Sequence, residues 1–144
     1  MVEKDTIKLL RECDAGVKMG TGSINDVLGF VRAPKLRRDL AECKREHNVL
    51  EGEIKAQLER FNDSGKSPSP MARKMSQMMT HAKLTVHASD RAIADLMTDG
   101  CNMGVKSLNR YLNQYKAADE RSKDIAKRLI HLEEKLTQDI RPYL

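Results

Sequence analysis

Apolar residues recur every three or four positions along most of this chain, which is the spacing of one face of an α-helix. The first apolar stripe comprises Leu10, Cys13, Val17, Gly20, Ile24, Val27 and Val31. The second comprises Leu36, Leu40, Cys43, His47, Leu50, Ile54, Leu58 and Phe61. Pro34 separates them, because the residue before a proline is pushed out of helical geometry. The short joint predicts an antiparallel helical hairpin over residues 3–61.

A polar stretch, NDSGKSPSP at residues 62–70, ends the second helix because it carries glycine and proline. The next stripe is rich in methionine, which packs adaptably, and comprises Met71, Met75, Met78, Ala82 and Val86. Ser89 or Asp90 offers an N-cap for a new helix, although a single helix through residues 69–116 stays open. Two further apolar stripes predict a second hairpin over residues 89–141, joined to the first by a crossover over 62–88.

Four of the glycines inside these predicted helices recur at matching spacing, and each costs about 1 kcal/mol relative to alanine. They form two equally spaced pairs, Gly16 with Gly20 and Gly100 with Gly104. A row of this kind lets another backbone approach closely. We therefore expect the first helix of each hairpin to cross the other at its glycines. The alternative is that the glycines mark helix breaks or kinks.

The chain also matches itself when it is shifted by 84 positions. Six identities fall within residues 16–28, where ordinary composition would give about one: Gly16, Met19, Gly20, Ser23, Asn25 and Leu28 meet Gly100, Met103, Gly104, Ser107, Asn109 and Leu112. This match predicts two copies of one hairpin. With the crossover and its extra helix, they predict a single all-α domain over residues 1–144, a four-helix bundle of ferritin-like topology.

Composition agrees with an all-helical protein, since 33% of the residues are charged and only 3% are aromatic. The net charge is +5, and the densest basic cluster is Arg32, Lys35, Arg37 and Arg38. Acidic residues interleave elsewhere and no aromatic residues accompany this cluster, so it predicts a solvated patch. A nonspecific nucleic-acid binder is the alternative.

The three cysteines, Cys13, Cys43 and Cys101, form no CxxC pair and are expected to be free and buried. The sequence carries no apolar run of the length that crosses a bilayer and no hydrophobic signal core. We therefore expect a cytoplasmic protein without membrane contact.

Three runs of the sequence resemble the bacterial ferritin-like domains of a family of unknown function within the ferritin and rubrerythrin superfamily. They are LLRECDAGVKMGTGSINDVL, LRRDLAECKREHNVLEGEI and DLMTDGCNMGVKSLNRYL. The resemblance covers nearly the whole chain and lies in the pattern of residues rather than in a diagnostic motif. It implies a bacterial ferritin-like bundle and little about activity.

Ferritin-like di-iron enzymes carry Glu on the first helix of each hairpin and Glu-x-x-His on the second. His47 lies at the centre of its stripe and matches the family's His, but Lys44 stands where the family has Glu. Glu133 falls on the apolar face of the last helix, opposite His47, yet Ile130 stands three residues before it. The di-iron ligand set is therefore incomplete.

Asp14, His47, Glu51 and Glu133 remain as candidate site residues. We expect His47 and Glu133 to form a buried polar pair across the bundle, because an unpaired buried carboxylate is costly. The alternative is a mononuclear site that holds iron, manganese or zinc with His47, Glu51, Glu133 and a cysteine. No cofactor is expected otherwise.

These features predict a non-catalytic structural or interaction module rather than an enzyme. Val49 and the methionines of residues 71–79 are the candidate contact positions. A homodimer is one form that such contacts would take, and the identity of a protein partner is not specified. The alternative is an atypical metal-binding or oxidoreductase-type ferritin-like protein.

Overall fold

A computed structural model of the chain describes residues 2–86 and 88–144, and every regular element in those residues is helical. The elements are α1 (Val2–Leu28), α2 (Pro34–Glu59), α3 (Pro70–Val86), α4 (Asp90–Gln114), α5 (Glu120–Ile140) and a short 3-10 helix (Arg141–Tyr143). The prediction of an all-α protein is confirmed. Residues 69–116 contain two helices, α3 and α4, with Ser89 as the N-cap of α4. His87, between them, lies outside the described residues.

The first helix ends before its predicted apolar stripe does. α1 stops at Leu28, and the backbone then turns with the N–H of Phe30 donating to the carbonyl of Val27 at 2.9 Å. Val31 is buried after this turn, so the apolar periodicity continues past the end of the helix. The connection is fixed by the Asp90 carboxylate, which accepts the backbone N–H groups of residues 32 and 33 at 2.8 and 2.9 Å.

Four helices surround a common core. α1 packs against α2, α4 and α5, and α5 also packs against α2 and α4. At one end, Thr6 on α1 accepts the N–H of Asp119, which caps α5. At the other end, Asp90 at the start of α4 binds the connection that follows α1. The start of α4 therefore lies beside the end of α1, and the two helices are antiparallel. The fully buried side chains of this core include Leu9, Leu10, Ile24, Leu36, Leu40, Ile54, Ile93, Ile125 and Leu129.

α3 lies outside this core and packs against α1 and α4. Among residues 70–85 of α3, whose side chains the structure describes, Leu84 is the one buried apolar side chain. The guanidinium of Arg73 binds Asp26 of α1 at 2.7 Å and occupies the space beside Gly22. Met71, Met75 and Met78 face solvent, whereas Arg73 lies on the face of α3 that contacts α1.

No helix within the described ranges combines the length and the apolarity needed to cross a bilayer.

Candidate functional site

Two helix glycines accommodate polar side chains of the neighbouring helix. A Cβ built on Gly20 would lie 2.9 Å from Nε2 of His47 on α2. A Cβ built on Gly104 would overlap the carboxylate of Glu133 on α5. Each glycine thus provides the space in which a buried polar side chain ends.

The other two glycines make no close contact with a second backbone. A Cβ on Gly16 would meet only Leu129 of α5, at 3.7 Å, and a Cβ on Gly100 would meet nothing within 4 Å. The predicted close crossing of α1 and α4 at these glycines is therefore wrong. The alternative that glycines mark breaks is also wrong, because α1 and α4 continue through all four positions.

His47 is buried, and its ring is oriented by the backbone of its own helix. Its Nδ1 lies 2.8 Å from the carbonyl oxygen of Cys43, which can only accept, so Nδ1 carries the hydrogen. Nε2 is then the acceptor, and it points toward Gly20 with no hydrogen-bond partner. Burial lowers the pKa of His47, which keeps the ring neutral near pH 7.

Glu133 is also buried, and its Oε2 has no hydrogen-bond partner. Burial raises the pKa of Glu133 to about 8, so the carboxyl is protonated near neutral pH. Glu133 forms no hydrogen bond or ion pair with His47, and the predicted polar pair is therefore not formed. Burial, followed by the charge of Glu133, raises the pKa of the Cys43 thiol to about 12 and also raises that of Cys101.

The structure instead brings Asp14 and Glu51 together between α1 and α2. Oδ2 of Asp14 accepts hydrogen bonds from the ammonium of Lys18 at 2.9 Å and from the backbone N–H of Lys66 at 2.8 Å. Oδ1 of Asp14 and both carboxyl oxygens of Glu51 are buried and have no hydrogen-bond partner. Burial, followed by the neighbouring Asp14 carboxyl, raises the pKa of Glu51 to about 7. Both residues are candidates in the sequence, but nothing in the sequence predicts that they lie close together.

The pKa of Asp14 is lowered, in contrast to that of its partner. Burial is the largest influence and raises it, but the neighbouring Glu51 carboxyl, the Lys18 ammonium and the backbone N–H of Lys66 together outweigh it. Of the two carboxyl groups, Asp14 is therefore the one that ionises first as the pH rises.

Gly65 and Lys66 complete the surroundings of Asp14, and neither is predicted from the sequence. Gly65 has a φ of +90°, and a Cβ there would overlap Oδ2 of Asp14. The only sequence signal was a glycine within a polar turn stretch. Nothing in that signal connects the turn to Asp14, which lies 52 positions before Lys66.

The described residues do not fit a di-iron centre. Lys44 and Ile130 stand where two glutamates would be needed, and His47 and Glu133 end beside different glycines. Within residues 2–86 and 88–144, no three His, Cys, Asp or Glu side chains come together as metal ligands. The side chains predicted for a mononuclear metal site, His47, Glu51, Glu133 and a cysteine, do not come together there either.

The outer face of α3 carries a row of exposed methionines, which we call the methionine face: Met71, Met75, Met78 and Met79, whose exposed fractions are 78%, 56%, 61% and 61%. A groove of about 480 Å³ adjoins it, with Phe30, Met78 and Leu84 as its apolar lining. Phe30 is itself 45% exposed. Exposed apolar side chains thus come from both α3 and the turn after α1.

The basic cluster is exposed, as the sequence predicts. Lys35 forms an ion pair with Asp39 at 2.9 Å, and the guanidinium of Arg37 donates to the carbonyl of Val31 at 2.5 Å. Part of the cluster therefore contacts the protein itself.

Comparisons of the chain with protein-family models, with curated proteins and with solved structures found no match.

Proposed function

We propose that this chain is a ferritin-like helical bundle that binds another protein through the methionine face of α3 and is not an enzyme. The observation that carries the proposal is the exposure of four methionines on one side of a single helix. Apolar patches of this kind are typical of interaction sites, and methionine adapts to partners of different shape.

The attachment of α3 supports this role. Arg73, Lys83 and Leu84 hold the helix, through Asp26, Asp95 and the core respectively. The methionines are not used in this attachment. An outer apolar row that does not stabilise the fold is what a docking surface requires.

The ferritin-like part of the proposal rests on helix order and on internal equivalence. Two hairpins joined by a crossover, with the first helix of each antiparallel to the other, fit that topology. Gly20 and Gly104 are 84 positions apart, and the residues that they accommodate, His47 and Glu133, are 86 apart. These equivalent contacts support the repeat.

The chemistry of the buried groups supports a non-catalytic role. The thiolate is the reactive form of cysteine, and burial raises the pKa of Cys13 and Cys43 to about 12 and also raises that of Cys101. His47 and Glu133 are enclosed by the neighbouring helices and point at glycines rather than into a cleft.

Site-specific photo-crosslinking in cells tests the proposal. A photoreactive residue is placed at Ala82, an exposed position of α3, or at Ala56, an exposed position of α2. We expect a discrete protein adduct from position 82, and its mass distinguishes a second copy of the chain from another protein. Adducts that form equally from position 56 would contradict the proposal.

Substitutions on the methionine face provide the matched control. Met75→Gln with Met78→Gln should abolish the adduct from position 82, because polar side chains remove the apolar contact. Met103→Gln changes a methionine on α4 that is at least as exposed, and it should leave the adduct intact. If the double variant keeps the adduct, the methionine face is not the contact.

A further inference from the structure

Residues 64–89 form the longest stretch of this chain without an acidic residue, and α3 lies within it. The whole chain has 21 Asp and Glu residues, so this stretch differs from the rest in charge. The charged side chains of α3 are Arg73, Lys74 and Lys83, and all three are basic. The helix that carries the methionine face is therefore both apolar and basic.

Lys74 is the cation of α3 that is available to a partner. Arg73 binds Asp26 of α1 at 2.7 Å, and Lys83 binds Asp95 of α4, so the bundle itself neutralises these two. Lys74 is exposed, and among the residues that the structure describes it has no carboxylate partner.

The position of Lys74 links the methionine face to the groove beside it. Lys74 lies three residues after Met71 and four before Met78, so it lies one helical turn from each of them. It also lines the groove of about 480 Å³, in which Phe30 and Leu84 are apolar neighbours. One positive charge thus adjoins apolar side chains on both sides.

We propose that the partner is an amphipathic, acidic protein segment, whose apolar side chains cover Met78 and enter the groove beside Phe30 while a carboxylate pairs with Lys74. This inference rests on the proposed docking function and adds the chemistry of the partner to it. A partner that covers the apolar surface removes water from the Lys74 ammonium, and a carboxylate offsets that loss of hydration.

Charge favours this partner over a second copy of the chain. A two-fold contact places the same surface on both sides, and α3 carries no carboxylate that could pair with Lys74 of the other copy. It favours a protein over an anionic bilayer as well. Lipid surfaces are typically recognised by clusters of about four to eight basic residues, whereas two of the three cations of α3 are already paired.

Reversal of one charge in the photo-crosslinking experiment tests the chemistry of the partner. With the photoreactive residue at position 82, Lys74→Glu should lower the yield of the adduct about fivefold, because it places a carboxylate against the acidic segment. Lys106→Glu reverses an exposed lysine of α4 and should leave the yield unchanged. Mass spectrometry of the adduct identifies the crosslinked segment of the partner, in which we expect Asp or Glu beside apolar residues.

The outcomes separate this inference from the function on which it rests. An adduct whose yield is the same in the parent and in Lys74→Glu overturns the acidic partner but leaves docking in place. The same holds for an adduct with a second copy of the chain and for a crosslinked segment without Asp or Glu. The absence of any adduct from position 82 overturns both.

Vesicles of phosphatidylcholine and phosphatidylserine test the membrane alternative with the purified protein. We expect the parent and Lys74→Glu to remain equally in the supernatant when the vesicles are sedimented. Sedimentation of the parent with these vesicles that is lost in Lys74→Glu would overturn the inference in favour of a lipid surface.

Discussion

At the scale of single residues, this protein buries two ionisable side chains, His47 and Glu133, in their neutral forms. Neutral His47 and protonated Glu133 each end beside a glycine, where no side chain obstructs them. Each arrangement costs helix propensity at the glycine and desolvation at the polar group. Gly20 and Gly104 are therefore explained by the side chains that face them rather than by a helix crossing.

Alanine substitutions of three glycines should rank in stability according to what each Cβ meets. Gly20→Ala places a methyl 2.9 Å from a ring fixed by Cys43 and should destabilise by about 1–3 kcal/mol. Gly104→Ala meets the flexible end of Glu133, which can move, and should change stability by less than Gly20→Ala. Gly100→Ala meets nothing and should stabilise by about 1 kcal/mol. Urea unfolding of the three variants measures the order, and equal effects would contradict it.

Glu133→Gln should increase stability at neutral and alkaline pH. The pKa of Glu133 is about 8 in the folded state against an ordinary value of 4.5, so the folded state holds a proton that the unfolded chain releases. The stability that the protonated Glu133 carboxyl contributes is therefore complete below pH 4.5 and is lost as the pH rises through 8. The glutamine variant should gain on the order of 3 kcal/mol over the parent between pH 5 and pH 8. Urea unfolding across this range checks the gain, and parallel pH curves would refute it.

At the scale of elements, α3 is attached differently from the other helices. The core helices bury continuous apolar stripes, whereas α3 contributes Leu84 and is held by Arg73 and Lys83. Ion pairs that remain partly exposed contribute about 0–1 kcal/mol each. We therefore expect α3 to open locally at a free energy well below that of global unfolding.

Replacement of Arg73 should loosen α3 without unfolding the remaining helices. Arg73→Met removes the pair with Asp26 and should raise exchange of the α3 amides about fivefold, since the pair contributes about 1 kcal/mol. Lys74→Met changes the adjacent exposed residue and should leave exchange unchanged. High salt should reproduce part of the effect in the parent. Equal exchange in the two variants would show that the ion pair does not hold the helix.

At the scale of the whole molecule, the net charge of +5 is spread over a surface rich in both signs. The basic cluster lies around the start of α2 and is exposed, and two of its members already contact Asp39 and the carbonyl of Val31. A solvated cluster contributes little to folding. It supplies long-range attraction for anions, which depends on salt.

Neutralisation of this cluster should leave the fold intact. A variant with glutamine at Arg32, Lys35 and Arg38 should melt within about 2 °C of the parent, because exposed charges contribute little. Addition of Arg37→Gln should lower the melting temperature further, since this side chain binds the carbonyl of Val31. Calorimetry compares them. Salt-dependent binding of duplex DNA by the parent that disappears in the triple variant would favour the nucleic-acid alternative.

The sequence alone determined most of the helical segments and part of the buried core. Periodicity and caps depend on neighbours within four positions, and they located α2, α4 and α5 and the burial of the three cysteines, His47 and Glu133. The same periodicity continues through Val31, so it does not show that α1 ends at Leu28. A connection that packs into the core carries apolar residues just as a helix does.

Only the tertiary structure decided which buried groups interact. Asp14 and Glu51 lie on different helices, and Lys66 belongs to a loop that the sequence marks only as a turn. The side chain opposite each glycine depends on the relative rotation and height of two helices, which periodicity within one helix does not specify. The outward orientation of the methionines was decided in the same way, because Arg73 and Leu84 hold the opposite face of α3 against the other helices.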